Sequence, residues 1–458
     1  MRIPTTIFRE YDIRGTVGDQ IGAEVARAIG QAFATLGWER LGRAPRLAVG
    51  RDNRPSSEGL AHGVLSGIEA VGGLGMDVGE LPTPALYFAT HVLNVDGGLQ
   101  VTGSHNPPEF NGFKMVLGGD AVHGAAIQGL RRLIEEEKTP GRPGGMRATD
   151  GSVLARYRAA IVQRNGPLPR RVKVVVDCGN GVSSLIAVET LRDLGADVVA
   201  LYCESDGRFP HHHPDPTVLE NLRDLQAAVT RERAELGIAF DGDGDRIGAV
   251  DEQGRPVMGD LLLVLLGRDL ARRLGPGQPV IFDVKCSDLL PKELARVGLV
   301  PTMWKTGHSL IKQKMKETGA PLAGEMSGHM FFGADWYGFD DALFAAGRLL
   351  GYLAHAGGPL SRHFRDLPDT VSTPELRVDY PDEQKFAIVE RAAKHFATKY
   401  PVSTLDGVRI TFGEGWGLLR ASNTQPVLVL RFEAANAAAL AAYRAEVEGW
   451  LAAQRDRA

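Results

Sequence analysis

Cysteine is nearly missing from this 458-residue chain: three residues, Cys178, Cys203 and Cys286, scattered and odd in number. That excludes a disulfide framework or a zinc knuckle and suits a reducing compartment. No charge sign dominates either. The 52 Lys+Arg against 56 Asp+Glu leave a net charge of -4, which excludes a generally basic nucleic-acid binder and an acidic tail protein. Long hydrophobic runs are also absent. The densest, Leu261 to Leu266, stops before Arg268, far short of the roughly 20 residues a membrane helix needs. The start, Met1-Arg2-Ile3-Pro4, soon meets Arg9, Glu10 and Asp12, so no apolar signal core is present. A cytoplasmic protein without nucleic-acid or membrane partners is expected.

What is abundant is glycine, 56 residues against a usual share of ~7%. The excess points to tight turns or loops that hug a ligand. Apolar residues at 43% and charged ones at 24% suit packed cores and exclude disorder. At roughly 100–200 residues per domain the length allows three or four domains.

Three short Val/Ile-rich runs, at 46–52, 172–179 and 279–285, each contain an Asp where the apolar stretch breaks. They read as buried strands of parallel sheets. A helix-period stretch follows, as at 186–194, where Gly195 is the expected stop. A second apolar strand then runs into a polar loop: after Gly98-Leu-Gln-Val101, after Leu236-Gly-Ile-Ala-Phe240, and after Pro321-Leu-Ala-Gly324. Unequal spacing excludes a solenoid. It predicts three diverged α/β domains, each presenting a loop beyond a strand's carboxyl end, where open sheets bind ligands. The last ~90 residues differ, with strand-like runs at 408–412, 416–420 and 427–432 and an Ala-rich helix near 435–453. They read as an α+β module. The expected division is 1–150, 151–253, 254–366 and 367–458, with joints near 148–155, 252–258 and 357–372.

Asp241-Gly-Asp243-Gly-Asp245-Arg246 is the strongest local signal. Three carboxylates spaced by glycine can converge on one hard cation. A calcium EF-hand is excluded, because Arg246 stands where that loop needs Gly and the flanks read as strands. A divalent metal, magnesium, is expected there. Thr102-Gly-Ser104-His105-Asn106-Pro107-Pro108 holds a serine in a stiff loop. A serine hydrolase is a poor fit: the G-x-S-x-G elbow is missing and the adjacent Ser104 and His105 are badly placed as nucleophile and base. A phosphoryl-carrying serine fits better, since the metal would offset the added charge of about −1.5 to −2.

Gly324-Glu325-Met326-Ser327-Gly328-His329 sets a carboxylate and a hydroxyl two residues apart. On an extended segment both would face one side and could grip neighbouring sugar hydroxyls; His329 could meet phosphate or move protons. Arg420-Ala-Ser422-Asn423-Thr424-Gln425 has the composition of an anion site. Glycine-rich nucleotide loops are missing, and Gly179-Asn180-Gly181 reads as a structural turn. His211-His212-His213 diverge as neighbours and do not suggest zinc. The run Lys312-Gln313-Lys314-Met315-Lys316 reads as a solvated helix face.

In their order, these four loops resemble the α-D-phosphohexomutase superfamily, and most nearly its bacterial phosphomannomutase/phosphoglucomutase branch. So do Phe8–Gly15, Asp177–Gly181 and Trp304–Ser309, and the resemblance spans essentially the whole chain. It implies three similar α/β domains with mixed sheets plus a C-terminal α+β domain around a central cleft. Ser104 would be the phosphoserine and, with Asp241, Asp243 and Asp245, a ligand of Mg2+. Glu325 and Ser327 would hold sugar hydroxyls, and Arg420, Ser422, Asn423 and Thr424 the unreacting phosphate. Tyr11, Arg14, Lys114, Arg246, Lys285, His308 and His329 would line the cleft. Arg14, Lys114 and His329 are the candidates for proton movement or charge stabilisation. The implied reaction moves phosphate between C1 and C6 of hexose phosphates, with glucose 1,6-bisphosphate as intermediate and activator, in a monomer. The alternatives are a phosphoglucosamine mutase, a Mg-dependent sugar phosphatase and a non-enzymatic sugar-phosphate sensor.

Overall fold

The computed structural model describes residues 3–455, and the expected strand runs are there as strands. The first sheet runs Ile13–Thr16, Phe110–Leu117, Gly97–Val101, Arg46–Arg51, Leu74–Glu80, Met146–Thr149, with the short Asp120–Ala121 beside Phe110–Leu117. The second runs Pro256–Val257, Ile247–Asp251, Leu236–Phe240, Lys173–Asp177, Asp197–Leu201. The third runs Val300–Trp304, Pro279–Asp283, Leu322–Gly324, Met330–Phe332. All three sheets are mixed. The fourth is antiparallel and centres on Val427–Ala434, Gly415–Ala421 and Val408–Phe412. Its closing helix, Ala437–Arg455, matches the Ala-rich stretch.

One connection recurs in the first three sheets. A parallel strand turns through a loop into an antiparallel partner: Gly97–Val101 into Phe110–Leu117, Leu236–Phe240 into Ile247–Asp251, and Leu322–Gly324 into Met330–Phe332. The three polar loops are these three turns. Each lies beyond the carboxyl end of a parallel strand, the usual ligand edge of an α/β sheet.

Sheets one to three share a seam. The helices Thr83–Val92, Val153–Asn165 and Ala342–Ala356 bring Phe88, Tyr157 and Phe344 around Trp336, from the loop before the last of them, in one aromatic cluster. Asp341 fixes it, accepting from Tyr157 Oη, Trp336 Nε1 and the Phe344 amide, each at 2.9 Å. Truncating Phe344, which is fully buried, would cost about 3–5 kcal/mol. The seam therefore holds three loops at fixed mutual positions. The fourth sheet joins through Trp416 and Leu418 against Val284, with the Arg409 guanidinium 3.6 Å above the Trp416 ring.

The sequence reading needs one correction here. The Lys312–Lys316 run is only in part a solvated face: Gln313 and Lys316 are exposed, but Lys312 lies over Tyr87 and pairs with buried Asp340 at 2.9 Å, and Lys314 lies over Trp304. The joint expected near 252–258 takes the form of a hairpin whose return strand, Pro256–Val257, pairs with the second sheet.

Candidate active site

All the predicted site residues outside the acid triad line one cavity of about 600 Å³ where the four sheets meet, and the triad joins it through contacts with Ser104, Lys114 and Arg246. Ser104 has a left-handed backbone, φ 49°, a conformation that costs energy for a residue with a Cβ. Buried Arg54 imposes it, donating to the carbonyls of Ser104 (2.8 Å), Asn106 (2.6 Å), Pro107 (2.6 Å) and Phe110 (3.0 Å). Asp52, at the end of the neighbouring strand, accepts from Thr102 Oγ1 at 2.8 Å and the Gly103 amide at 3.0 Å. No side chain fits at Gly103, where a Cβ would stand 2.4 Å from the Arg54 guanidinium.

The Ser104 hydroxyl donates to Asp241 Oδ2 at 3.2 Å. It also lies 3.2 Å from His105 Nδ1, so these two neighbours approach where the sequence reading expected poor placement. Burial and the cations Arg246, Arg14 and Lys114 hold His105 well below its ordinary value, so it is neutral. Nothing in the cavity resembles a hydrolase elbow.

Asp241, Asp243 and Asp245 are fully buried, and one oxygen from each lies within 4.8 Å of the others. Burial and the two neighbouring carboxylates push Asp241 up to about 8. Asp243 Oδ1 and Asp245 Oδ1 are buried without a hydrogen-bond partner among the described residues. Unpartnered buried carboxylate oxygens are costly, and a small divalent cation satisfies them. The triad fits a metal ion. Lys114 is its protein counter-charge, with Nζ 2.7 Å from Asp243 and 2.5 Å from Asp245. Burial opposes that charge, but Asp243 and Asp245 outweigh it and hold Lys114 protonated, well above its ordinary value. Thr83, at the start of a helix from the first sheet, donates to Asp243 Oδ2 at 2.6 Å. Arg246 spans Asp241 (3.1 Å) and Asp215 (3.4 Å).

The 325–329 segment corrects another expectation. It is a tight turn, not an extended stretch: the Gly328 amide donates to Glu325 O and the Glu325 amide to His329 O. The carboxylate and hydroxyl still meet, with Ser327 Oγ 3.2 Å from Glu325 Oε2. Asp283 takes the Met326 amide at 3.0 Å, as Asp52 takes the Gly103 amide. His329 Nδ1 lies 3.0 Å from Asp340 and 3.7 Å from Asp245. Burial lowers it, yet the two carboxylates prevail and raise His329 above its ordinary value. His308 faces it with ring centroids 5.7 Å apart.

On the fourth sheet, Arg420 Nε binds Asp406 at 2.8 Å, and Ser422 Oγ accepts from the Thr424 and Gln425 amides. Lys285 reaches across to Glu375 at 3.1 Å. With its amide oxygen toward Arg14, Asn106 accepts from Arg14 Nε (2.9 Å) and Nη1 (3.0 Å). Arg14 also pairs with Asp12 at 2.6 Å.

The sequence reading missed Arg54, Thr83, Asp340 and Glu375. Only Arg54 left a trace, in Asp52-Asn53-Arg54-Pro55 straight after the first parallel run. The histidine tract has three separate partners: His211 meets Asn180, His212 meets Asp177, and His213 meets the His105 carbonyl. One of the three thus props the serine loop.

Four sheets around one cation-lined cleft define a multidomain α/β protein built to receive a small anionic ligand. The chain matches four models described as phosphoglucomutase/phosphomannomutase: alpha/beta/alpha domain I over residues 5–140, domain II over 155–254, domain III over 258–371, and the C-terminal domain over 375–449. It is 48% identical over 434 residues to the phosphomannomutase/phosphoglucomutase of Pseudomonas aeruginosa, covering 94% of this chain and 92% of that one. It is 44% identical over 441 residues to the phosphoglucomutase of Neisseria gonorrhoeae, covering 96% and 95%. The crystal structure of a phosphoglucomutase/phosphomannomutase family protein from Burkholderia thailandensis aligns with a TM-score of 0.90 at 43% identity, covering 99% of this chain and 98% of that one. The chain belongs to the phosphoglucomutase/phosphomannomutase family.

Proposed function

We propose that this chain is a hexose phosphate mutase that moves phosphate reversibly between C1 and C6 of glucose and mannose phosphates. The observation that carries the reading is the contact of Ser104 Oγ with Asp241 at 3.2 Å in a cavity that also holds the Arg420–Thr424 anion loop. Two phosphate stations in one cleft suit a substrate with a phosphate at either end.

In this reading phospho-Ser104 gives its phosphoryl group to the free hydroxyl of a hexose monophosphate. The P–Oγ bond breaks as the new P–O bond forms, giving a hexose 1,6-bisphosphate. Asp241, Asp243, Asp245 and the phosphoserine would hold Mg2+, which when bound would supply charge neutralisation for the phosphoryl group. Such transfers need alignment and charge neutralisation above all. Lys114, held protonated by Asp243 and Asp245, stabilises that charge; the proton lost by the sugar hydroxyl ends on Ser104 Oγ, with Lys114 and His329 as the groups that can relay it, and Arg14 orients the same oxygens. The bisphosphate then turns end for end, so that its other phosphate reaches Ser104. Arg420, Ser422, Asn423 and Thr424 hold the idle phosphate, with Tyr11, Arg246, Lys285 and His308 closing the walls. Glu325 and Ser327 grip O3 and O4, which the C2 epimers share, so both sugars are substrates. Glucose 1,6-bisphosphate serves as activator. All four loops come from one chain, which suits a monomer, and three free cysteines suit the cytoplasm. We divide the chain at 150, 253 and 366.

The test is turnover of glucose 1-phosphate with Mg2+ and trace glucose 1,6-bisphosphate. Glucose 6-phosphate forming without stoichiometric free phosphate supports the mutase. Stoichiometric phosphate release would establish a phosphatase, and binding without turnover a sensor. A strong preference for glucosamine 1-phosphate would move the substrate to the amino sugar.

A further inference from the structure

Cys178 and Cys203 are 25 positions apart in sequence, yet their sulfurs lie 3.2 Å from each other. Cys178 follows strand Lys173–Asp177, and Cys203 comes two residues after its parallel neighbour Asp197–Leu201. The Cys178 amide continues that ladder by donating to Leu201 O at 3.3 Å. A disulfide bond is about 2.05 Å long, so closing the pair takes only about 1 Å of approach. The two thiols differ in access, since Cys178 is fully buried and Cys203 is partly exposed. The Cys203 thiol donates to Cys178 Sγ, and this contact together with burial pushes Cys178 well up. The reachable sulfur, Cys203, has the place of an attacking thiolate, and the enclosed Cys178 that of a resolving thiol.

We propose that Cys178 and Cys203 form a reversible thiol–disulfide site, closed by hydrogen peroxide, whose closure lowers turnover in the adjacent cleft. The Cys203 thiolate attacks the peroxide, breaking its O–O bond to give a sulfenic acid and one hydroxide, which takes a proton to leave as water. Cys178 sulfur then displaces the sulfenic oxygen, which leaves as a second water with the Cys178 proton. Two thiols are oxidised by two electrons and one peroxide is reduced.

The coupling to the cleft lies in the loop after Cys178. The Asn180 carbonyl accepts from Asn53 Nδ2 at 2.7 Å, between the Asp52 and Arg54 that hold the serine loop. The Val182 amide donates to Gly242 O at 3.1 Å, inside the acid triad. There is no slack, because a Cβ on Gly181 would stand 2.9 Å from that same oxygen. Drawing Cys178 toward Cys203 displaces both loops together. Cys286 is buried with its sulfur 3.1 Å from Asp283 Oδ1 and takes no part.

The test exposes the full chain to hydrogen peroxide, quenches it, unfolds it with an alkylating agent and counts the added groups by intact mass. The reduced protein should take three groups and the oxidised protein one, with 178–203 as the linked peptides and dithiothreitol restoring three. Turnover should fall several-fold in step with the lost thiols and recover with dithiothreitol. Cys203→Ser, at a partly exposed position, should take two groups before and after peroxide and keep its turnover. Three groups after peroxide, or a different pairing, would overturn the site. A 178–203 disulfide with unchanged turnover would overturn the coupling. The count does not depend on the substrate, so failure of the mutase reading would leave it standing.

Discussion

The Tyr11 hydroxyl donates to the Thr306 carbonyl at 2.8 Å and accepts from Asn423 Nδ2 at 2.6 Å. One phenol thus ties the first, third and fourth sheets across the mouth of the cleft. Its ring also fills the space over Gly307, where a Cβ would meet it at 2.6 Å. Burial pushes the hydroxyl up to about 12, so it remains a donor at any working pH.

Tyr11→Phe keeps the ring and removes both bonds. At the usual worth of such hydrogen bonds, kcat/KM should fall roughly 2- to 10-fold, chiefly through KM, because the Arg420–Thr424 loop loses its brace. Steady-state kinetics check this; an unchanged KM would leave the tie without a role in binding.

Gly242 is a sharper test of loop packing. A Cβ there would stand 2.4 Å from the Ser104 carbonyl oxygen, and backbone cannot step aside as a flexible side chain can. Gly242→Ala should lower kcat by about 100-fold, the scale set by misplacing reacting groups by 1 Å, while the thermal midpoint moves little. Full activity in the variant would mean that the serine and acid loops need not touch.

The acid triad should report its cation without any turnover. Relief of repulsion among Asp241, Asp243 and Asp245 predicts that Mg2+ raises the thermal midpoint of the wild-type protein and that a chelator reverses the rise. Asp243→Asn should abolish most of that shift. A midpoint insensitive to Mg2+ in the wild type would remove the metal site.

His212 and Asp177 give a pH signature away from the chemistry, with Nε2 3.0 Å from Oδ2. Burial lowers the imidazole, but the hydrogen bond and charge of Asp177 outweigh it and raise His212 above its ordinary value. A histidine raised on folding adds stability fully present below its unfolded value, about 6.5, and lost as pH rises through the folded value. The midpoints of wild type and His212→Gln should therefore lie further apart at pH 6 than at pH 8.5. An equal gap at both values would contradict the pairing.

Much of this architecture was legible because repeated geometry left repeated sequence. Apolar runs broken by Asp52, Asp177 and Asp283 marked the central strands, and two of those aspartates turn out to hold the next functional loop by a backbone amide. The loops were legible for a plainer reason: three carboxylates in five residues, or a serine between Gly and Asn-Pro, are unusual as mere turns. Arg54, Thr83 and Asp340 were not legible, since each acts through a partner more than 10 residues away in sequence. The Lys312–Lys316 run misled because one sequence cannot show which helix face another sheet covers. The cysteines misled likewise, scattered along the chain but adjacent across a parallel ladder.

The central claim is that Ser104 carries the phosphoryl group. Intact-mass measurement of the purified protein after brief exposure to glucose 1,6-bisphosphate tests it most directly. The account predicts a species heavier by one phosphoryl group, mapped to the peptide containing Ser104 and missing in Ser104→Ala. An unmodified Ser104 in protein that still interconverts hexose phosphates would contradict it.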